Sequence, residues 1–220
     1  MFTESVIERL ADGVWITIQL AVMAGAVGTA AAIVSGLAGL SSSRAVRWAN
    51  QVYVDFFRGS SAIIQLYWAY YALPIIDRDL TFSPLQVGVV VLGLNMGGYG
   101  SEIVRGAVQS VSRGQYEAST ALSIGGYQRM RYIIFPQAVL SMLPPYCNLL
   151  IEMLKGTALV SLITLADLTR VGLDLRQAGD LSSASAFTAL LVIYFFLAIS
   201  ITFIVRRAER FARRSMGLEA

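Results

Sequence analysis

The stretch QYEASTALSIGGYQRMRYIIFP, residues 115–136, is polar and glycine-broken, yet it lies between long apolar runs. A connection that only turned the chain around could be a few residues long. This one carries helix signals of its own. Ser112 and Gln115 have the S-x-x-Q spacing of a capping box, in which each side chain satisfies the other's free backbone donor. Residues 115–122 are mostly good helix formers. Gly125 and Gly126 break the run, because glycine loses the most backbone entropy in a helix. Residues 127–135 can restart it, and Pro136 cannot sit deep inside a helix without a kink. The expectation is a short helix, a bend and a second helix, held at a membrane surface.

Working outward, the chain of 220 residues is 56% hydrophobic and only 14% charged, with a mean hydropathy of +0.63. Soluble domains carry about 25% charged residues, so a bilayer is the expected solvent. The net charge of +3 is read as cytoplasmic arginine rather than a nucleic-acid surface. The chain has no histidine, which excludes histidine-based metal sites and general bases. No metal site is expected. The single Cys147 cannot form an internal disulfide. The acidic N-terminus (Glu4, Glu8, Asp12) lacks the basic region of a cleaved signal peptide, so the first span is expected to be retained.

About 20 apolar residues cross a hydrocarbon core, and five spans are expected, at residues 14–40, 51–73, 85–107, 133–154 and 186–205. Ala24, Gly28, Ala32 and Gly36 place a ridge of small side chains on the first, read as intramolecular helix packing. The second holds a polar band around Arg58, Gly59, Ser60 and Gln65, and ends at Pro74. The third turns small and polar from Asn95 to Glu102. Pro144 and Pro145 should bend the fourth. Residues 157–169 are too short to cross and suit a re-entrant or interfacial helix, and residues 170–185 read as polar loop. With five spans the first turn, the central stretch and the tail share one side. Eleven Arg residues lie there against four on the other. The positive-inside rule then places the N-terminus outside and the C-terminus inside. The chain reads as one transmembrane domain, 1–220, with a cytoplasmic segment at 112–131.

Charges inside spans are costly and need partners. Three acid–base pairs stand at spacing three, which puts them on one helix face: Asp55 with Arg58, Glu102 with Arg105, and Glu152 with Lys155. Either they neutralise each other, or they line a hydrated path for a polar solute. The path candidates are Arg58, Gly59, Ser60, Asn95, Glu102, Glu152, Lys155 and Thr157. Arg58 suits a carboxylate and Glu102 an ammonium, which together fit a zwitterion. No phosphate-binding loop is present, so ATP chemistry would have to come from a partner. A secondary transporter would show inverted repeats, which are not evident. A membrane scaffold would use the polar residues only to bind helices together.

Glu117-Ala118-Ser119, followed by Pro136, resembles the EAA signature of ABC importer permeases. The segment YGSEIVRGAVQSVSRGQ (residues 99–115) is similar to the polar amino-acid branch of that family, as are Phe57-Arg58-Gly59-Ser60 and Leu143-Pro144-Pro145 with Asn148. Lys155-Gly156-Thr157-Ala158-Leu159 falls where that branch has K-D-T-S-L. The ordered set covers nearly the whole chain. The resemblance implies an all-α type I importer permease (MetI-like) fold and a bacterial inner-membrane location. It implies a coupling helix docking on an ATPase, with Gln115, Glu117, Ala118, Ser119, Ala121, Leu122, Ser123, Gly125, Gly126 and Pro136 in the coupling segment. It further implies a second permease subunit (a copy or a paralogue), two ATPase subunits that bind ATP and Mg, and an extracytoplasmic solute-binding protein, with lipid around the spans. The chain itself would bind no cofactor. The solute would be a polar amino acid or an amino-acid-derived zwitterion, such as an ectoine-type compatible solute. Three positions depart from the pattern: Ser61 for the usual proline, Ser123 for the usual glycine and Gly156 for the usual aspartate. With Ser123 in place, the bend is expected to shift to Gly125 and Gly126.

Overall fold

Two helices lie so close that a methyl group would not fit between them. In the computed structural model, which describes residues 3–215, α1 (Glu4–Ala38) and α4 (Pro84–Ser110) pack along most of their lengths. A Cβ added to Gly36 would stand 2.7 Å from Val104 Cβ and 2.8 Å from the Ser101 carbonyl oxygen. One added to Gly28 would meet Met96 Sδ at 2.8 Å. All four small residues of the ridge on α1 are buried, as expected for packing within the chain. Without a hydrophobic drive between helices in lipid, such close contact is what holds them.

The contacts run in register. Gly28 meets Gly93 and Met96, and Gly36 meets Ser101 and Val104, so α1 and α4 are parallel. The chain between them must therefore return, and it does so as a broken pass: α2 (Arg44–Gly59), an interruption at Ser60–Ser61, and α3 (Ala62–Ile76). Helix α5 (Arg113–Ala121) follows α4, and α6 (Gly126–Ile163) then runs back along α4 and α1. A short α7 (Leu168–Gln177) precedes α8 (Ser183–Ser215), which packs against α6 and α7. The runs α1, α2–α3, α4, α6 and α8 thus alternate in direction. Among the described residues, four helices (α1, α4, α6 and α8) are long and apolar enough to cross a membrane unaided.

Several boundaries differ from expectation. The second span is not one helix from 51 to 73, because Ser60 and Ser61 are extended (ψ 154° and 127°). Residues 157–169 do not form a separate helix. Thr157–Ile163 is a 3₁₀ extension of α6, ended by Thr164 at φ 67°. The expected loop 170–185 begins instead with α7. The helix continues through Pro144 and Pro145 without interruption.

Pro74 and Pro136 share one device. Each is preceded by a wide turn, Trp68–Ala72 and Met130–Ile134, in which an amide reaches five residues back: Leu73 N–H to the Trp68 carbonyl, and Phe135 N–H to the Met130 carbonyl. A proline ring clashes with the carbonyl four residues before it. The π-type turn widens the backbone where that clash would fall. Helix geometry therefore carries through both prolines.

Helix α7 starts at a buried carboxylate outside the passes. Asp167 is fully buried and accepts hydrogen bonds from Thr169 N–H and Arg170 N–H, both at 3.1 Å. Thr17 Oγ1 on α1 accepts from Leu168 N–H at 3.0 Å. Tyr194 of α8 and the Thr169 hydroxyl, 2.9 Å apart, complete the cluster. Burial pushes the Asp167 carboxyl up to about 6, against the opposing effect of these hydrogen bonds.

Two outcomes test this packing. Gly36→Ala should cost about 1–3 kcal/mol by overpacking. Gly106→Ala, at a helical site with nothing within 4 Å of the new methyl, should gain about 0.5–1 kcal/mol; thermal midpoints in detergent compare the two. Because the folded carboxyl of Asp167 titrates above its unfolded value, the folded state holds the proton more tightly. Its contribution to stability therefore rises as the pH falls through about 6 and levels off below the ordinary carboxylate value of 3.8. Asp167→Asn keeps a capping oxygen and should remove that pH dependence in the same melting experiment.

Candidate functional site

Two regions gather the polar residues: a cavity between α4, α6 and the broken pass, and the exposed helix α5.

The break at Ser60–Ser61 shapes the cavity. Gly59 ends α2, and the extended backbone at Ser60 deprives the Phe57 carbonyl of its usual helical donor four residues on. Asn95 on α4 supplies one instead, Nδ2 to the Phe57 oxygen at 2.9 Å. Gln65 on α3 adds a bond from Nε2 to Ser60 Oγ at 2.7 Å, and Ser60 Oγ itself donates to the Phe56 carbonyl at 2.5 Å. Ser61 sits at φ −72°, the value that a proline ring would impose. Serine in place of the usual proline therefore preserves the local conformation. Sequence reasoning placed Gln65 in the polar band but missed its role. Its Oε1 is buried with no partner among the described residues, the kind of acceptor that a water or ligand donor would satisfy.

The cavity has a volume of about 340 Å³, and its polar lining includes Ser60, Ser61, Asn95, Tyr99 and Glu152. Arg58 lies with its guanidinium 5.4 Å from the centre of the Tyr99 ring. Of the three expected ion pairs, only Glu102–Arg105 forms. Asp55 instead accepts a hydrogen bond from Gln51 Nε2 at 2.8 Å, and neither Arg58 nor Glu152 has an ion-pair partner among the described residues. Lys155 is exposed and does not pair with Glu152. The reason is geometric: Glu152 lines the cavity, and its head is not held toward Lys155. Thr157 is fully buried, its hydroxyl bonded to the Leu154 carbonyl at 2.6 Å, and it does not line the cavity. Gly59 ends α2 with open space around it. Gly156 does line the cavity, and its Cβ direction is open. Glycine at this position enlarges the site and leaves Glu152, one turn earlier on the same face, as its acid.

Helix α5 holds Gln115, Glu117, Ala118, Ser119 and Ala121. No capping box forms: the Ser112 side chain makes no cap bond, and Gln115 N–H takes the Ser112 backbone carbonyl at 3.0 Å. A capping box forms instead at Ser83 and Gln86, where Ser83 Oγ accepts from Gln86 N–H and Gln86 Oε1 from Ser83 N–H. Tyr116 fastens α5 to the end of α4 by donating to the Val108 carbonyl at 3.2 Å, with Arg129 over its ring. Ser119 is buried and bonds to the Tyr116 carbonyl. Gln115, Glu117, Ala118, Ala121 and Leu122 are exposed.

The end of α5 corrects the expected bend. Ser123 itself takes φ 55°, Ile124 N–H bonds to the Ser119 carbonyl at 3.0 Å, and Ser123 N–H to Thr120 at 2.9 Å. This is a Schellman motif, whose left-handed residue is usually glycine. Serine keeps it at a cost of about 1–2 kcal/mol. Gly125 is extended, and Gly126 starts α6. The bend has not moved to the glycine pair, and residues 127–135 form the first turns of the fourth pass rather than a separate surface helix. Pro136 follows the wide turn at Met130–Ile134.

Comparison with known proteins matches this architecture. Residues 14–214 match the family described as "Binding-protein-dependent transport system inner membrane component". The chain is 41% identical over 212 residues to the "Probable amino-acid ABC transporter permease protein y4tF" of Sinorhizobium fredii, covering 94% of this chain and 89% of that one. It is 33% identical over 204 residues to the "Glutamine transport system permease protein GlnP" of Escherichia coli, covering 93% of each. A solved structure described as "Crystal structure of an amino acid ABC transporter with histidines" superposes with a TM-score of 0.83 at 28% identity, over 93% of this chain and 94% of that chain. An inward-facing MetNI methionine ABC transporter shares the fold, with a TM-score of 0.81 at 22% identity over 96% and 99% of the two chains. The chain belongs to the binding-protein-dependent transport system inner membrane components, and within them to the amino-acid ABC transporter permeases.

Proposed function

We propose that this permease carries a polar amino acid or an amino-acid-derived zwitterion through the cavity at the broken second pass, driven by ATPase subunits that dock on α5. The observation that supports this most directly is an unneutralised carboxylate in the cavity wall, with an unneutralised guanidinium against Tyr99, another residue of that wall. Glu152 lines the cavity and Arg58 lies beside Tyr99, neither engaged in an ion pair. Charges within a membrane protein are expensive, and such residues mark solute paths by default. Glu152 suits the ammonium of the solute and Arg58 its carboxylate. Glu102 is held by Arg105, which favours Glu152 over it as the ammonium partner.

The assembly in this reading has a second permease subunit, two ATPases holding ATP and Mg, and a solute-binding protein on the outer face. The arginine bias puts α5 and the C-terminal arginines in the cytoplasm. Closure of the ATPases loads α5. Tyr116 and the Schellman end make that helix a short rigid lever, joined to α4 on one side and to α6 on the other. Glu117 is exposed on it, has no ion pair among the described residues, and is available to a partner.

Replacing Glu117 with Lys should sharply reduce both transport and substrate-stimulated ATPase activity of the reconstituted importer, with helix content and thermal midpoint unchanged. Normal transport by that variant would refute docking through α5. Glu152→Gln should lower transport by about tenfold or more, the scale of losing a hydrogen bond to a charged group, while basal ATPase activity persists. An unchanged rate across a panel of zwitterions would remove Glu152 from the path.

A further inference from the structure

Helix α8 spans 33 residues, Ser183–Ser215, or about 50 Å at the α-helical rise. The hydrocarbon core is about 30 Å thick, so the last turns extend past it. At 100° per residue the C-terminal half divides into two faces. Thr202, Val205, Arg206 and Glu209 line a cleft against Leu143 and Asn148 of α6, and Glu209 pairs with Arg213 at 2.9 Å. A second face, turned from the first by about 110° at the helical pitch, carries Val192, Phe196, Ile199 and Phe203, exposed by 41–62%, and then, in the same stripe, Arg207, Arg210 and Arg214. Phe211, 74% exposed, stands beside the arginines. No acidic residue interrupts this face between 203 and 214.

We propose that Arg207 and Arg210, with Phe211, form a binding site for the headgroups of anionic phospholipids. The stripe passes without a break from exposed apolar side chains to guanidinium groups, as the environment of a lipid-facing helix changes from acyl chain to headgroup. Arg207 and Arg210 form no ion pair among the described residues, and guanidinium takes phosphate in a forked geometry. Phe211, exposed beside them, offers an apolar ring to the acyl chain of the same lipid. A second copy of the chain is a poorer occupant: across a two-fold axis the stripe would meet itself, placing arginine against arginine.

The test uses the complete importer, ATPases included, in phosphatidylcholine vesicles holding a trace of spin-labelled phosphatidylglycerol or spin-labelled phosphatidylcholine. The wild-type complex should immobilise the phosphatidylglycerol label preferentially, and added salt should weaken the preference. Arg207→Gln with Arg210→Gln should reduce it by about fivefold per arginine, the scale of one cation at an anionic surface. Arg213→Gln, whose guanidinium is already paired with Glu209, should leave most of it. If the double variant does not assemble, the Arg207→Gln single variant gives the same reading at half the effect. Three results would overturn the proposal: no preference in the wild type, an equal loss in Arg213→Gln, or retained preference with loss of the ATPase subunits from the double variant. The last would make the stripe a protein-docking surface.

Discussion

A single hydrogen bond, from Asn95 Nδ2 to the Phe57 carbonyl, states the constraint under which this fold is built. In a bilayer a freed backbone group has no water to turn to, and leaving it bare costs several kcal/mol. A helix can therefore break inside the membrane only where another helix brings a polar side chain to it. Asn95 reaches Phe57 because α4 lies close to the broken pass, where Gly98 stands against Phe57 Cβ. The same neighbourhood of small residues lets α4 approach α1. The break in turn places Ser60 and Ser61 at the cavity wall. Close packing, a tolerated break and a solute-sized cavity are successive consequences of one arrangement.

The irregularities of the backbone are managed in the same way elsewhere. Two prolines sit behind π-type turns that relieve their clash one residue earlier. A serine occupies a left-handed position because the Schellman bonds around it outweigh its strain. Another serine holds the backbone of a missing proline. At Ser61 and Ser123 the serine holds a backbone that a proline and a glycine, respectively, would adopt without strain. The third departure is different in kind. Gly156 leaves the backbone helical but removes a side chain from the cavity wall, so it changes what the site can hold and leaves the fold alone.

The passage from α4 through α5 to α6 is continuous and short of slack. Tyr116 ties the first turn of α5 to the end of α4. Arg129, in the first turn of α6, donates to Thr120 on α5 at 3.0 Å and lies over the Tyr116 ring. A force applied to the exposed face of α5 is thereby delivered to the two helices that wall the cavity.

Much of this was legible in the residues. Hydrophobic run lengths located the passes, the small-residue ridge located the tightest contact, and the Glu117-Ala118-Ser119 stretch located α5. What periodicity could not supply was the partner of each polar group. Asp55 and Arg58 stand three apart on a helix, yet Asp55 is taken by Gln51 and Arg58 lies against Tyr99, 41 residues away. Ser112 and Gln115 have a capping spacing, yet their side chains do not close it. The buried carboxylate of Asp167 draws on Thr169, Arg170 and Tyr194, a set that no local pattern announces. Composition and periodicity decided that the chain is a bundle of membrane passes, because solvent preference is a property of each residue. The choice among competing hydrogen-bond and charge partners fell to the tertiary structure, because it depends on which helix comes within three ångströms of which.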